Sequence, residues 1–162
     1  MRIIHLRSSE FFGGPERAIL GQCRAMTDCS FVCASFVRGD APGEFLNRAK
    51  SAGIETAAIA ERFTGDFKTV GQLRSLIRRH QAQLVVCHDY KANFFGNHAV
   101  RGTQAKRVAH FRGETREDVK VRFYNWIHKM MLRRTDLVLT VSETTASILT
   151  AMGVPREHIQ VV

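Results

Sequence analysis

Six places in this 162-residue chain put charged or hydrogen-bonding side chains directly after a short apolar run. Arg7, Ser8 and Ser9 follow "IIHL", and Arg38 follows "FVCASFV". Glu61 and Arg62 follow "IETAAIA", while His88, Asp89 and Lys91 follow "LVVC". Arg112, Gly113 and Glu114 follow "VAHF", and Ser142 and Glu143 follow "LVLTV". Guanidinium and ammonium groups bind phosphate or carboxylate, whereas imidazole and carboxylate hold hydroxyls or move protons. If the runs are parallel strands, their carboxyl ends lie side by side, where open α/β sheets bind ligands.

One more stretch belongs with these residues. In "SSEFFGGPERAIL", Gly13, Gly14 and Pro15 stand between the first apolar run and an amphipathic segment. Proline fits the first position of a helix, where its missing N–H is no loss. Two residues without side chains let backbone N–H groups approach a ligand, and a helix N-terminus favours an anion. A tight turn that merely needs glycine explains the same letters. The spacing is neither GxGxxG nor GxxxxGK[ST], so it specifies neither a dinucleotide nor a P-loop nucleotide.

The elements that must position these residues are legible. The runs Ile3–Leu6, Phe31–Val37, Ile54–Ile59, Leu84–Cys87, Val108–Phe111 and Leu137–Val141 are mostly continuously apolar, as in strands covered on both faces. Helical stripes separate them. Glu16–Met26 aligns Ile19, Leu20, Cys23 and Met26; Phe67–Arg79 aligns Phe67, Val70, Leu73, Leu76 and Ile77; Glu117–Arg134 aligns Val119, Phe123, Trp126, Ile127 and Met130. Gly53 and Gly153 stand where helices end, and Arg133 and Arg134 suit a helix C-terminus. This alternation predicts a single α/β domain, a Rossmann-like doubly wound parallel sheet flanked by helices. The closing "IQVV" reads as the start of another strand and suggests part of a larger protein.

Composition narrows the function. The formal net charge of +9 implies a polyanionic partner, either nucleic acid, an anionic membrane surface or a phosphorylated small molecule, or else a solvated basic surface without a specific role. The four cysteines form no CxxC pair and the seven histidines have no metal-like spacing, so free thiols in a reducing cytosol and no metal site are expected. Neither a secretory signal nor an apolar span long enough for a membrane is present.

The segments "MRIIHL", "FFGGPERAIL", "LVVCHDYKANFFGNHAV", "KRVAHFRGETRE" and "DLVLTVSETTASILTAMGVPREHIQVV" resemble, in order and spacing, the N-terminal half of family 4 glycosyltransferases. That resemblance implies one half of a GT-B architecture, with residues 1–162 as the acceptor-side domain and a donor-binding C-terminal domain outside the chain. It implies a retaining transferase that uses a UDP- or GDP-linked sugar and no cofactor. The acceptor would be an envelope glycan, a lipid-linked sugar or a small metabolite. By position, Gly13 and Gly14 match the loop under the donor diphosphate and sugar. His88 and Asp89 match the polar pair on the acceptor side, with Ser9 and Lys91 assigned beside them. Many members carry His-Gly after strand five, where this chain has Arg112-Gly113. Arginine cannot be a general base at neutral pH, so Arg112 is expected to act through its charge. His110 shares its side of the strand and reads as a core histidine. The family's Glu-x7-Glu pair is absent, since no two of the nine glutamates are eight apart, and the isolated chain is therefore expected to be inactive. The resemblance places the protein in the cytoplasm. The basic helix Glu117–Arg134 and the cluster Arg74, Arg78 and Arg79 are expected to contact anionic membrane peripherally. A nucleic-acid-binding basic domain is the alternative, and it lacks interleaved aromatics. A nicotinamide enzyme with Arg38 on a 2′-phosphate lacks the glycine fingerprint.

Overall fold

The computed structural model of the chain describes residues 1–9, 11–39, 41–113 and 129–162. Seven strands form one sheet: β1 (Arg2–Arg7), β2 (Ser30–Val37), β3 (Glu55–Ala60), β4 (Leu84–Cys87), β5 (Lys106–Phe111), β6 (Leu137–Thr140) and β7 (Ile159–Val161). All pairings are parallel, in the order β3-β2-β1-β4-β5-β6-β7. The helices are α1 (Gly14–Ala25), α2 (Glu44–Ser51), α3 (Lys68–Arg79), α4 (Tyr90–Ala99) and α5 (Glu143–Ala151). Every expected apolar run is a strand, and "IQV" supplies the seventh. The order reverses between β1 and β4, so the switch point lies where Arg7, Ser8, His88 and Asp89 emerge.

Burial explains the nearly unbroken apolar strands. One face packs Ile4, Leu6, Val32 and Val85 against Leu73 and Ile77 of α3 and Phe95 of α4. The other packs Cys33 against Ile19 and Leu20 of α1 and Phe45 and Leu46 of α2. Farther along, Ala109, Phe111 and Val138 meet Leu149 of α5. Two stripe ends depart from expectation. Met26 lies beyond the end of α1 and is exposed, while Phe67 caps α3, its ring edge-on to Phe94 and Phe95. Gly53 and Gly153 close α2 and α5 at φ 74° and 86°, a conformation that favours glycine.

Arg107 is a buried cation in this otherwise apolar setting. Its guanidinium donates to Asn93 Oδ1 on α4 at 3.1 Å and to the Met131 carbonyl, and its backbone N–H donates to Asp136. It thereby ties β5 to α4 and to the helical residues 129–132, at the cost of a lowered arginine pKa caused by burial. The remainder of the expected helix Glu117–Arg134 lies outside the described residues. Arg74 and Arg78, members of the basic cluster expected to meet a membrane, donate to the carbonyls of His98, Ala99 and Gly102, satisfying the end of α4 and the turn after it. No helix among the described residues is long and apolar enough to cross a membrane.

Gly96 lets α4 approach the sheet. A Cβ there would stand 2.5 Å from the Sγ of Cys87, whose thiol is fully buried in β4. Gly96→Ala is expected to cost roughly 1–3 kcal/mol, measured by urea unfolding. Adding Cys87→Ala should recover part of that loss; a second loss that simply adds to the first would show that this contact is not the constraint.

Candidate functional site

The site starts at the end of β1. Glu16, the third residue of α1, is fully buried. One carboxylate oxygen pairs with Arg7 Nε and the other accepts the Gly13 N–H at 2.9 Å, so the helix start is closed from within. Burial opposes the charged form, yet the Arg7 guanidinium and the turn amides hold the Glu16 carboxyl below its ordinary value. Pro15 occupies the second helical position rather than the first, and Gly13 is the cap.

The two glycines differ in what surrounds them. A Cβ on Gly13 would lie 3.3 Å from Glu16 Oε2 and 3.4 Å from the Phe11 ring, so packing alone favours glycine there. Gly14 is exposed, has no positive φ, and has nothing within 4 Å of where a Cβ would stand. Neither backbone conformation nor neighbours among the described residues require glycine at position 14.

Arg7 also donates through Nη1 to the His88 carbonyl at 3.1 Å, crossing the switch point. Beside it, Asp89 caps α4 by accepting the Ala92 N–H at 2.9 Å and takes the Ser8 N–H at 2.6 Å on its other oxygen. Both oxygens are thus engaged, and Asp89 braces the loop after β1. His88, matched by position to the acceptor side, is buried instead. Its Nε2 is 2.9 Å from His5 Nδ1, and its ring stacks on His110 at 5.6 Å between centroids. The three imidazoles form a row across β1, β4 and β5. His110 is the core histidine that was expected, though its Nδ1 and that of His88 have no partner among the described residues.

At the mouth of this row stands Arg112, half-buried, with a buried Nη1 that has no partner among the described residues. Burial, then the nearby Arg7, lowers its pKa, while Glu16 offsets them. Burial and the cations Arg112 and Arg7 also push His88 well below an ordinary imidazole, and burial and Arg112 bring His110 to about 4. Among the described residues, two guanidiniums and one buried carboxylate therefore share the strand ends around Gly13 and Gly14. No cluster of His, Cys, Asp or Glu among the described residues suits a metal, and the four cysteines are free.

A separate cavity of about 450 Å³ opens between the ends of β1, β2 and β3. Ser9 and Lys91 line it together, with Ser8, Arg38, Glu61 and Thr64. Glu61, nearly buried, lies 2.5 Å from Lys91 Nζ and 3.2 Å from Arg38 Nε. Arg38 also donates to Thr64, and Lys91 sits 4.5 Å over the Phe36 ring. The structure thus brings Ser9 and Lys91 into one cavity, which His88 does not line. Sequence reasoning missed the part played by Glu16, although a glutamate three residues after a helix cap is the signature of such a closure. It also missed Glu61 as the shared partner of Arg38 and Lys91, which lie 23 and 30 residues from it and are announced by no spacing rule. Ser142, expected at a strand end, caps α5 by accepting the Thr145 N–H.

Residues 13–162 match the family model of the glycosyl transferase 4-like domain. No curated protein sequence matches the chain. Among solved structures, Anabaena HepE in complex with UDP superposes with a TM-score of 0.82 at 18% identity, over 100% of this chain and 43% of that one. The lipopolysaccharide outer core galactosyltransferase WaaB in its apo form gives 0.71 at 16% identity, over 99% and 45%. The UDP-GlcNAc 2-epimerase of Methanocaldococcus jannaschii gives 0.70 at 10% identity, over 100% and 45%. The chain therefore spans less than half the length of each of these proteins.

Because unfolded histidines titrate near pH 6.5, the unfolded chain binds more protons than the folded one between that value and the His110 pKa of about 4. Stability should fall as pH drops through this window, by about 1 kcal/mol for His110 alone at pH ~5.5. His110→Gln should flatten the pH dependence of the urea midpoint between pH 6.5 and 5. An unchanged slope would mean that His110 is not held neutral.

Proposed function

Because the chain belongs to the glycosyl transferase 4-like family, we propose that it forms one wall of the cleft of a nucleotide-sugar-dependent glycosyltransferase. A second, donor-binding domain supplies the other wall. The observation that carries this reading is the surplus positive charge, among the described residues, at the β1 and β5 ends. Arg7 and Arg112, the latter with a buried N–H unpaired among the described residues, flank an exposed helix start at Gly14. A diphosphate supplies the missing anion: the bare Gly14 admits its oxygens, the α1 N-terminus favours its charge, and Arg112 donates to it. HepE was solved with UDP and with UDP-glucose, which supports a UDP-linked hexose as donor.

In transfer, the bond from the sugar's anomeric carbon to the diphosphate oxygen breaks with its electron pair left on the diphosphate, as a bond to an acceptor hydroxyl forms and that hydroxyl's proton passes to the departing diphosphate. Arg112 stays protonated at neutral pH, so its contribution is to stabilise charge building on the leaving diphosphate. The acceptor enters the cavity of Ser9 and Lys91, where Glu61 and the hydroxyls suit sugar hydroxyl groups. Asp89 and His88 hold the wall between the two halves. Retention of anomeric configuration, an envelope-glycan or lipid-linked acceptor, and a cytoplasmic enzyme with peripheral membrane contact follow from the family resemblance. The same fold carries epimerases of UDP-GlcNAc, and the family match favours transfer over epimerisation.

Thermal-shift measurements with UDP-sugars, NADPH and DNA separate this reading from a dinucleotide enzyme and a nucleic-acid binder; a response to DNA alone would reject it. In the complete enzyme, Gly14→Val should lower donor use at least tenfold while changing stability by under about 1 kcal/mol, since the position is open. Equal losses of folding and activity would reduce the glycine pair to a turn. Arg112→Lys should keep part of the activity and Arg112→Ala lose most of it, with the pH optimum unmoved in both. Full activity of Arg112→His with a new pH dependence would refute the electrostatic role.

A further inference from the structure

On the outer face of α1 and α2, away from the strand ends, lies a cavity of about 330 Å³ to which nothing above gives a role. Arg17, Arg24 and Arg48 line it, over an apolar floor of Phe12 and Leu20, with Ser51 at its rim. Residues 17 and 24 are seven apart on α1 and so share one side of that helix, while Arg48 comes from α2. We propose that this cavity is a binding site for a phosphate group attached to a small apolar moiety.

Two observations distinguish the cluster from an ordinary solvated basic face. The guanidinium of Arg48 stacks on the Phe12 ring at 4.5 Å and that of Arg17 lies 5.9 Å from its centroid. The ring is itself held, because Phe12 packs against the core under α1 and α2. An arginine stacked on a fixed ring has already lost much of its side-chain freedom, yet its in-plane N–H groups remain able to donate. Charge balance is the second observation. Among the described residues, Glu44 is the carboxylate that reaches the group, and it pairs there with Arg48 alone at 2.6 Å. Arg17 and Arg24 have neither an acidic nor a hydrogen-bonding partner for their side chains among the described residues. Among the described residues, three convergent cations with one carboxylate leave room for a doubly charged anion, and guanidiniums match phosphate oxygens bidentately. The Phe12–Leu20 floor then covers a short apolar segment beside the phosphate. A free phosphate compound and a lipid headgroup both offer this chemistry.

The test uses the ¹⁵N-labelled chain at low salt. Sodium pyrophosphate should cause saturable amide shifts at Phe12, Gly21 and Ser51. In an Arg17→Ala/Arg24→Ala variant, whose circular dichroism and melting should match the parent because both side chains are exposed, these shifts should weaken about tenfold or vanish. Arg24→Gln alone should give an intermediate loss. Cosedimentation with phosphatidylglycerol but not phosphatidylcholine vesicles, lost in the double variant, would identify a lipid headgroup as the source. A pyrophosphate response without vesicle retention would identify a soluble phosphate compound. Shifts confined to Gly14 and Gly113, or equal affinity in the double variant, would overturn the proposal.

Discussion

Glu16 is fully buried, and a carboxylate withdrawn from water costs several kcal/mol unless partners replace its hydration. Arg7 and the Gly13 amide are those partners, and meeting that requirement fixes the rest of the strand-end geometry. Arg7 cannot swing away, so its second donor reaches the His88 carbonyl across the switch point. The loop after β1 cannot drift, because the Ser8 amide is tied to Asp89. One buried charge thereby joins β1 and α1, and Asp89 joins both to β4 and α4.

The same arrangement decides the electrostatics of the cleft. With its carboxylate turned inward, the region around Gly14 presents cations and amide groups to the solvent. His88 and His110 beneath do not add titrating groups at neutral pH, since burial and the neighbouring guanidiniums keep both neutral. Such a surface favours stabilising an anion over moving protons. The neighbouring cavity is different in kind. There Glu61 is matched by Arg38 and Lys91, giving a nearly balanced set of donors and acceptors suited to hydroxyl groups.

Strands were the most legible feature of the sequence because both faces of an inner parallel strand are buried, leaving continuous apolar runs that periodicity detects. Stripe ends were less legible. Met26 continues the α1 pattern by spacing, but the chain turns one residue earlier, and Phe67 finds aromatic partners from α4 while remaining exposed. The arginines of α3 read as a surface patch because their acceptors, carbonyls at the end of α4, are invisible in a pattern of side chains.

Residue types and local spacing by themselves determined the alternation of strands and helices, the helix-ending glycines at 53 and 153, and the set of polar residues at the strand ends. Those depend on burial periodicity and on backbone preferences within a few residues. Only the tertiary structure decided which of the polar residues remain available. It buried His88 in an imidazole row, spent both oxygens of Asp89 on backbone amides, and left Arg112 with a donor unpaired among the described residues. It also placed Lys91 beside Glu61 and set three arginines around Phe12. The reason is physical: whether a polar side chain is consumed by the fold or left for a ligand depends on partners brought close by strand order, and strand order is not written in local spacing.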